Sequence, residues 1–479
     1  MIDQELDQKI VVWLKEHREE LIEQWMELCR IPSVRGAAEP SAPFGKACAE
    51  ALAASAGLFE RYGFETRLER ERGYAISSFG EGEKTVALVA HSDVVPAGDG
   101  WTVTEPFEPL LKDGILYGRG SGDNKAGIIE ALCTLAIIRD LKLPVKSRLW
   151  AVVGSAEESG MEDMLSFAQN ERMPELSVSP DAGFPCGIGE KSIYRAWVRS
   201  GESLSAIRDF RGGQAMNVVL GQATVTLDNT PTIKEELQQR IAGNEAFTLT
   251  AEGDTLQLSV IGRSAHAAAA ARGVSATLVA AELLKDCESL PQSDRAVMQA
   301  VADRLASPYA AGMGLAHEDP DFGQLTAANG IVKVEQGHLC ISFDIRYGTS
   351  MPPKELEERF TKSWTAAGWT VENGVNRPGF NTDPDSPFPA IFTEMFNTMT
   401  GKDRQPTRLS GGTYCRCLKN AFSVGDRAAD PNSTTVVPEL PTGHGGLHQP
   451  DERITVDSVF YAVRILVQCL IHCDEELNK

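Results

Sequence analysis

KTVALVA (84–90) and RLWAVVG (148–154) are the two stretches of sequence that decide the fold. Each is a short, Val-rich apolar run that stops at a polar cluster, which is the pattern of a buried strand. Between them, residues 127–143 carry apolar side chains at helical spacing. This order is typical of two parallel strands joined by a crossover helix. With a similar run at 176–181, the sequence predicts an α/β domain whose sheet is largely parallel.

The pattern changes after about residue 186, where polar and apolar residues alternate. Alternation predicts antiparallel strands with one solvated face, and two helical stretches among them indicate an α+β domain. The tail of the chain returns to helical patterns and a final amphipathic helix, as if the first domain resumed. We therefore predict a first domain at 1–187 and 383–479, with a second domain at 188–382 inserted between its segments.

Composition narrows the class of protein. Of the 479 residues, 42% are hydrophobic and 24% charged, which is typical of a globular chain. The net charge of −21 disfavours nucleic acid and anionic membranes as partners. No run of about 18 apolar residues occurs, so we expect no membrane span. The start lacks the layout of a signal peptide and the ten cysteines are scattered, so we expect a soluble, cytoplasmic protein with reduced thiols.

His91 and Asp93 directly follow the first predicted strand, whose two-residue period points both side chains to the same side. Alone, this pair is explained equally well as a structural hydrogen bond between His and Asp and as a metal ligand with its orienting carboxylate. Acids recur in turns after the other strands, where a single acid is usually only solvated: Asp123, Glu157, Glu158 and Asp181. Parallel strands meet at one sheet edge, so these acids should converge with His91. Such concentrated negative charge requires a cation, and the sequence predicts a metal site.

A second imidazole is available in GHGGLHQPDE (443–452), the turn before the last predicted helix. His448 is one candidate, and His444 in the same turn competes with it. Four of the eight histidines lie on terminal helices or lack a supporting pattern. The candidates that remain are His91, His266, His444 and His448.

An ordered set of motifs over almost the whole chain resembles the two-zinc amidohydrolases, a family that includes aminoacylase, carboxypeptidase G, succinyl-diaminopimelate desuccinylase and bacterial dipeptidases. Within this family, the resemblance of this chain is strongest to the PepV-type dipeptidases. The motifs are HSDVVP, GRGSGDNK, AEESG, PDAGFP followed by GEK, RSAH, FDIRY, GGTYCR and LHQPDE. The resemblance implies a phosphorylase/hydrolase-like α/β catalytic domain with a mainly parallel sheet, and an inserted α+β lid domain with antiparallel sheets.

The same resemblance implies two divalent metal ions per chain, zinc first, with manganese or cobalt as alternatives. His91 and Asp181 would hold one ion, Glu158 and His448 the other, and Asp123 would bridge them. Glu157 would be the general base and Asp93 the partner of His91. Imidazole and carboxylate ligands suit zinc, and a bridging carboxylate can hold two metals about 3.5 to 4 Å apart.

The inserted domain would contribute residues that bind the substrate. By resemblance, Asn217, His266 and Arg346 would steady the scissile carbonyl and the substrate carboxylate. A capping Asn, a surface His and a strand-face Arg are the plain structural alternatives. In the first domain, the Gly-rich turn formed by Gly411, Gly412 and Thr413 would add backbone donors for the carboxylate.

Two positions depart from the family pattern. HAAAAARG (266–273) stands where relatives commonly carry Ser or Thr and then Pro-Glu, which would change the loop after His266. Asn124 stands where dipeptidases often have a second Asp; it keeps the size and loses the charge. The resemblance also implies a cis peptide bond between Asp123 and Asn124, which we expect to survive the change.

The predicted function is metal-dependent hydrolysis of dipeptides by a metal-activated water with a Glu base. An N-acyl-amino-acid deacylase or desuccinylase with the same metals is the nearest alternative. An inactive binding protein is a third, against which the intact Glu157 argues. Since the insert contains both Asn217 and His266, we expect a functional monomer acting on small peptides.

Overall fold

A computed structural model describes residues 2–383 and 385–479. The chain forms two compact units: Met1–Gly189 with Asn381–Lys479, and Glu190–Phe380. The predicted α/β and α+β character is confirmed for the two units respectively. The assignment of the first as a catalytic domain and of the second as a lid stays a prediction.

The first segment of the first unit alternates helices and strands. Its helices are α1 (Gln4–Cys29), α2 (Lys46–Arg61), α3 (Lys125–Asp140) and α4 (Glu162–Asn170). Its strands are β1 (Glu65–Glu69), β2 (Tyr74–Phe79), β3 (Thr85–His91), β4 (Leu110–Lys112), β5 (Ile115–Tyr117), β6 (Arg148–Gly154), β7 (Leu176–Ala182) and β8 (Gly187–Glu190). The second segment adds helices Pro387–Thr400 and Val456–Leu477, strands Thr407–Leu409, Ala421–Gly425 and Arg453–Thr455, and the 3-10 turn Tyr414–Cys417.

The main sheet has a parallel centre and antiparallel flanks. The strand order is β1-β2-β6-β3-β7, followed by Ala421–Gly425 and β8. β3 runs parallel to both β6 and β7, and Ala421–Gly425 runs parallel to β7. Because β3 is buried along its whole length, its continuous apolar run is that of a central strand covered on both faces.

Helices cover this sheet. α3 packs against β3, α1 and the final helix, and thirteen of its residues from Ala126 to Ile138 are buried. Among the described residues, the final helix, Val456–Leu477, is long and apolar enough to cross a membrane, with a mean hydropathy of 1.5. Polar residues interrupt its apolar side chains, so this helix is not the unbroken apolar run whose absence led us to expect no membrane span. However, 83% of its most apolar window is buried inside the protein, as expected of a core helix.

The second unit contains antiparallel sheets with helices beside them. One sheet has the order Ile207–Arg211, Gln222–Asp228, Thr255–Ile261, Phe247–Glu252. The other has the order Thr326–Ala328, His338–Tyr347, Ser192–Arg199, Thr370–Arg377, with Val332–Glu335 also paired to His338–Tyr347. The ribbons are Val218–Val219 with Ala265–His266 and Glu318–Asp319 with Gly323–Gln324. The helices are Pro231–Ile241, Ala276–Leu284, Gln292–Leu305 and Pro353–Thr365. The 3-10 turns are Ala267–Arg272 and Ala311–Met313. The strand Phe380–Asn381 lies where the chain returns to the first unit.

Candidate metal centre

The parallel strands bring three predicted site segments to one sheet edge. His91 is the last residue of β3, and the ladder pairs it with Gly154, the last residue of β6. The segment with Glu157 and Glu158 therefore begins level with His91. Asp181 is the second-to-last residue of β7, the other parallel neighbour of β3. The topology thus places all three at the carboxyl end of the sheet, where open α/β folds hold their sites.

A small antiparallel sheet brings in the remaining segments. Strand Arg453–Thr455 pairs with β5, and Arg453 lies opposite Tyr117. Asp123 follows β5, whereas His448 precedes the paired strand, so both loops leave the same end of this ladder. The carbonyl of Glu452 accepts a hydrogen bond from the Gly118 amide at 2.9 Å, which extends the pairing toward the site.

The predicted ligand atoms form two groups that share Asp123. Nε2 of His91 lies 3.0 Å from Oδ1 of Asp123 and 3.8 Å from Oδ1 of Asp181. Nε2 of His448 lies 3.0 Å from Oδ2 of Asp123 and 2.9 Å from Oε1 of Glu158. The two oxygens of one carboxylate thus face two different imidazoles, each beside a further carboxylate. Imidazole and carboxylate donors in this arrangement fit a pair of divalent cations such as zinc.

Electrostatics agree with a site built for cations. Hydrogen bonds to Asp123 and Glu158 raise the pKa of His448 to about 11. Burial alone would lower the pKa of His91, but hydrogen bonds to Asp123 and Asp93 raise it well above its usual value. Burial raises the pKa of Asp181 well above its usual range, and the neighbouring carboxylates add to this. The acids of this site therefore favour positive charge on the neighbouring imidazoles, as they would favour bound cations.

Asp93 orients two partners at once. Nδ1 of His91 lies 2.9 Å from the backbone carbonyl of Asp93, and 3.4 Å from its Oδ1. A carbonyl only accepts, so Nδ1 carries the proton and Nε2 of the neutral ring is left as the ligand atom. The Asp93 carboxylate itself accepts the backbone amides of Glu157 and Glu158 at 3.0 and 3.1 Å. Asp93 therefore fixes both the histidine and the loop of the two glutamates.

Glu157 differs from its neighbour Glu158. Its side chain is buried, with 7% of the residue exposed, and its Oε1 accepts no hydrogen bond within the described part of the chain. Burial raises the pKa of Glu157 well above its usual value. Glu158, by contrast, contacts His448. The adjacent carboxyl groups thus have separate surroundings, as a base and a ligand would need.

The peptide bond between Asp123 and Asn124 is cis, which confirms the expectation for this position. His448 also has an uncommon backbone, with φ 62° in the left-handed region. Left-handed conformations of residues other than glycine are concentrated at functional sites.

The structure separates the two competing histidines of the last loop. Nδ1 of His444 donates to Oδ2 of Asp451 at 2.7 Å. Asp451 also accepts the backbone amides of Thr102 and Val103. His444 therefore belongs to a network that shapes the loop, whereas His448 lies with the carboxylates.

Several residues that the sequence reasoning missed hold this site in place. Oε1 of Glu452 accepts the backbone amides of Gly122 and Asp123, each at 3.1 Å. Its other oxygen accepts from the Arg119 guanidinium at 2.5 Å, and both side chains are buried. Both residues lie inside recognised motifs, but nothing in the sequence pairs residues so far apart.

A second supporting network lies beneath the glutamate loop. The buried carboxylate of Asp163, in α4, accepts the backbone amides of Ser155 and Ala156 at 2.6 and 2.9 Å, and the hydroxyl of Tyr414. The ring of Tyr414 meets the His91 ring edge-on, with centroids 6.2 Å apart. Asp163 thus fixes the backbone that leads into Glu157.

In the second unit, the structure brings two of the three predicted substrate residues together. Val218 pairs with His266 on the short ribbon, and the carbonyl of Asn217 accepts the amide of Ala267. Nδ1 of His266 accepts the amide of Ala268, so Nε2 carries the proton in the neutral ring. Arg346 pairs with Thr326, whose hydroxyl donates to the carbonyl of Ala267 at 2.9 Å, and its Nε lies 2.5 Å from Asp344.

The Gly-rich turn of the first unit has its own internal contacts. The side chain of Thr413 accepts the amide of Cys415 at 3.2 Å and starts the 3-10 turn Tyr414–Cys417. The carbonyl of Gly411 accepts from the Arg416 guanidinium, whose atoms lie where a side chain at Gly412 would project.

Comparison with known sequences places these observations in a family. The profile of Peptidase family M20/M25/M40 matches residues 87–472. "Putative dipeptidase YtjP" of Bacillus subtilis (strain 168) is 27% identical over 470 residues, covering 95% of this chain and 97% of that protein. "Putative dipeptidase SSP1012" of Staphylococcus saprophyticus is 28% identical over 482 residues, covering 97% and 99% of the two chains.

Solved structures show the same fold. Human carnosine dipeptidase 1 superimposes with a TM-score of 0.60 at 15% identity, over 98% of this chain and 99% of that one. Aminoacylhistidine dipeptidase from Vibrio alginolyticus gives a TM-score of 0.56 at 16% identity, over 95% and 96%.

Proposed function

This chain belongs to peptidase family M20/M25/M40 and is a peptide-bond hydrolase, and we propose that it is a dipeptidase that works with two divalent metal ions. The observation that carries the proposal is the position of Asp123. Its two oxygens lie 3.0 Å from two different imidazoles, each beside another carboxylate. A structural ion pair needs only one partner per carboxylate, whereas a metal bridge needs this duplication.

His91 and Asp181 would hold one ion, His448 and Glu158 the other, and Asp123 both. Bound at these ligands, zinc, or manganese or cobalt in its place, would polarise the scissile carbonyl and lower the pKa of water. Glu157 then acts as the general base. Burial raises the pKa of its carboxyl, which suits a group that takes a proton from water and returns it to the leaving amine.

Residues of the second unit are proposed to bind the substrate. The protonated Nε2 of His266 suits a developing oxyanion, and Asn217 is its neighbour on the ribbon. Arg346, together with Gly411, Gly412 and Thr413, would bind the substrate carboxylate. Action on small peptides, location in the cytoplasm and function as a monomer stay predictions.

Dipeptides are proposed as substrates because the relatives that match this chain over nearly their whole length are named as putative dipeptidases. A deacylase would cleave a similar amide next to a carboxylate but would not accept a free amine. Activity on Ala-Ala compared with N-acetyl-Ala therefore tests the substrate class. Faster hydrolysis of N-acetyl-Ala would overturn the dipeptidase assignment.

Metal dependence is tested by exhaustive chelation followed by addition of zinc, manganese or cobalt. Hydrolysis of Ala-Ala should disappear and then return, because every proposed ligand is imidazole or carboxylate. Full activity in the metal-free protein, verified by elemental analysis, would refute the metal mechanism.

A further inference from the structure

We propose that Asn124 is a positioning residue whose side-chain amide ties Asp181 to the end of β3, and so sets the affinity of the metal position formed by His91 and Asp181. The inference rests on the proposed two-metal function and deepens it. It assigns a role to the position at which this chain departs from the Asp common in related dipeptidases.

The amide of Asn124 joins the ends of two strands. Its Oδ1 accepts the backbone N–H of His91 at 3.2 Å. Its Nδ2 donates to the carbonyl of Pro180 at 2.6 Å and to Oδ1 of Asp181 at 3.0 Å. The residue is fully buried, so no water competes for these bonds. One side chain thus contacts the backbone next to one proposed ligand and the carboxylate of another.

The orientation of this amide follows from its partners. The backbone N–H of His91 can only donate, and the carbonyl of Pro180 can only accept. Exchanging the oxygen and the nitrogen of Asn124 would place two donors together on one side and two acceptors on the other. The donor must therefore face Asp181.

Asn124 does not serve the more ordinary role of its position. It immediately precedes α3, where an Asn commonly caps a helix, yet its side chain makes no capping hydrogen bond. The Asn124 amide also occupies the space that a side chain at position 127 would need. A Cβ on Gly127 would lie 2.5 Å from Oδ1 of Asn124 and 2.9 Å from the carbonyl of Pro180. The glycine thus leaves room for the amide to reach β7.

An Asp at position 124 could keep the contact with the His91 amide but would lose the other two. An ionised carboxylate only accepts, and it would face the Pro180 carbonyl and Asp181 across 2.6 and 3.0 Å. It would have to turn away and release Asp181. The added negative charge would by itself favour a cation, but it acts without holding a ligand in place. Loss of a hydrogen bond that orients a ligand typically costs 10- to 100-fold in metal affinity.

The test measures metal binding rather than turnover. Metal-stripped wild type, Asn124→Asp and Asn124→Ala are titrated with Co²⁺ by calorimetry and by visible absorption. We expect two sites in the wild type, and in both variants about a 10- to 100-fold weakening of one site, with an altered Co²⁺ spectrum for that site alone. Asn170→Asp, which adds the same charge at an exposed position, should match the wild type in both measurements.

Each outcome decides the proposal. Unchanged affinities and spectra in both variants would overturn it, and so would tighter binding in Asn124→Asp, because charge would then outweigh the hydrogen bond. If Asn124→Asp does not fold, as judged by circular dichroism in chelator, Asn124→Ala decides alone because it adds no charge. A wild type without metal binding would overturn the two-metal function and this inference together. Two bound metals without dipeptide hydrolysis would overturn only the substrate assignment, and the affinity comparison would still decide the role of Asn124.

Discussion

Glu157 and Asp123 both carry a carboxylate in the same centre, yet their removal should have different effects. Glu157→Ala should keep its metal and lose about 10²- to 10⁴-fold in turnover, because it removes only the proposed base. Asp123→Ala should lose metal, because both imidazoles lie within 3.0 Å of this one side chain. Elemental analysis and Ala-Ala kinetics measure the two effects. Equal metal content and activity in both variants would contradict the roles.

His448 links metal binding to pH. Hydrogen bonds to Asp123 and Glu158 raise its pKa from 6.5 to about 11, so its charge stabilises the metal-free chain fully below pH 6.5, and this is lost as pH rises through about 11. A metal ion must displace this proton. The affinity for Zn²⁺ should therefore rise between pH 6.5 and 8.5, by up to about tenfold per pH unit for one proton.

Calorimetry in two buffers of different ionisation enthalpy counts the protons released. His448→Ala should release one fewer than the wild type at pH 8, whereas His472→Ala, on the surface of the final helix, should release the same number. An unchanged count in His448→Ala would mean that the imidazole is not protonated between its carboxylates.

At the scale of single residues, sequence reasoning found the groups that lie directly after strands. His91, Glu158 and Asp181 could be predicted to converge because parallel strands end at a common edge. Glu452 and Arg119 could not be linked, since their contact depends on the pairing of Arg453–Thr455 with β5. Asn124 was noticed as a loss of charge, but its role as a donor is visible only once the Pro180 carbonyl is in place.

At the scale of elements, predictions succeeded where periodicity was strong. The runs 84–90 and 148–154 correspond to Thr85–His91 and Arg148–Gly154, within one residue at each end. Helices such as Gln292–Leu305 were missed, because the buried positions of this helix include Asp294 and two alanines beside Val297, Met298 and Val301, which weakens the apolar periodicity. The antiparallel hairpin β1-β2 was missed as well. None of the five residues of strand β1 is buried, and the strand has no apolar alternation to detect.

Helix α3 shows how packing can oppose helix propensity. Replacing Gly by Ala in a helix interior normally stabilises by about 0.5 to 1 kcal/mol. Gly57→Ala in α2 should do so, because its Cβ would meet nothing within 4 Å. Gly127→Ala should instead lower stability and metal affinity, because its Cβ would displace the amide of Asn124. Thermal unfolding and Co²⁺ titration of the pair measure this, and a stabilised Gly127→Ala with normal metal binding would contradict it.

At the scale of the whole molecule, the proposed catalytic groups are distributed over two units of one chain. His91, Asp123, Glu157 and His448 belong to the first, and Asn217 and His266 to the second. An insertion within a domain keeps both parts on the same polypeptide. Each chain therefore carries a full set of the proposed groups, and function as a monomer stays a prediction.

This completeness can be tested by mixing two inactive variants. Glu157→Ala lacks the proposed base and His266→Ala lacks the proposed donor to the oxyanion, and each should hydrolyse Ala-Ala far more slowly than the wild type. If the two units of one chain work together, a mixture should be no more active than the sum of its components, because each chain lacks one group.

If the second unit served a neighbouring chain, a mixed dimer would combine one intact base with one intact histidine. Activity that rises on mixing and depends on total protein concentration would therefore overturn the monomer prediction. A chain that carries both substitutions, mixed with either single variant, controls for simple stabilisation, since such a mixture cannot restore a complete pair of groups.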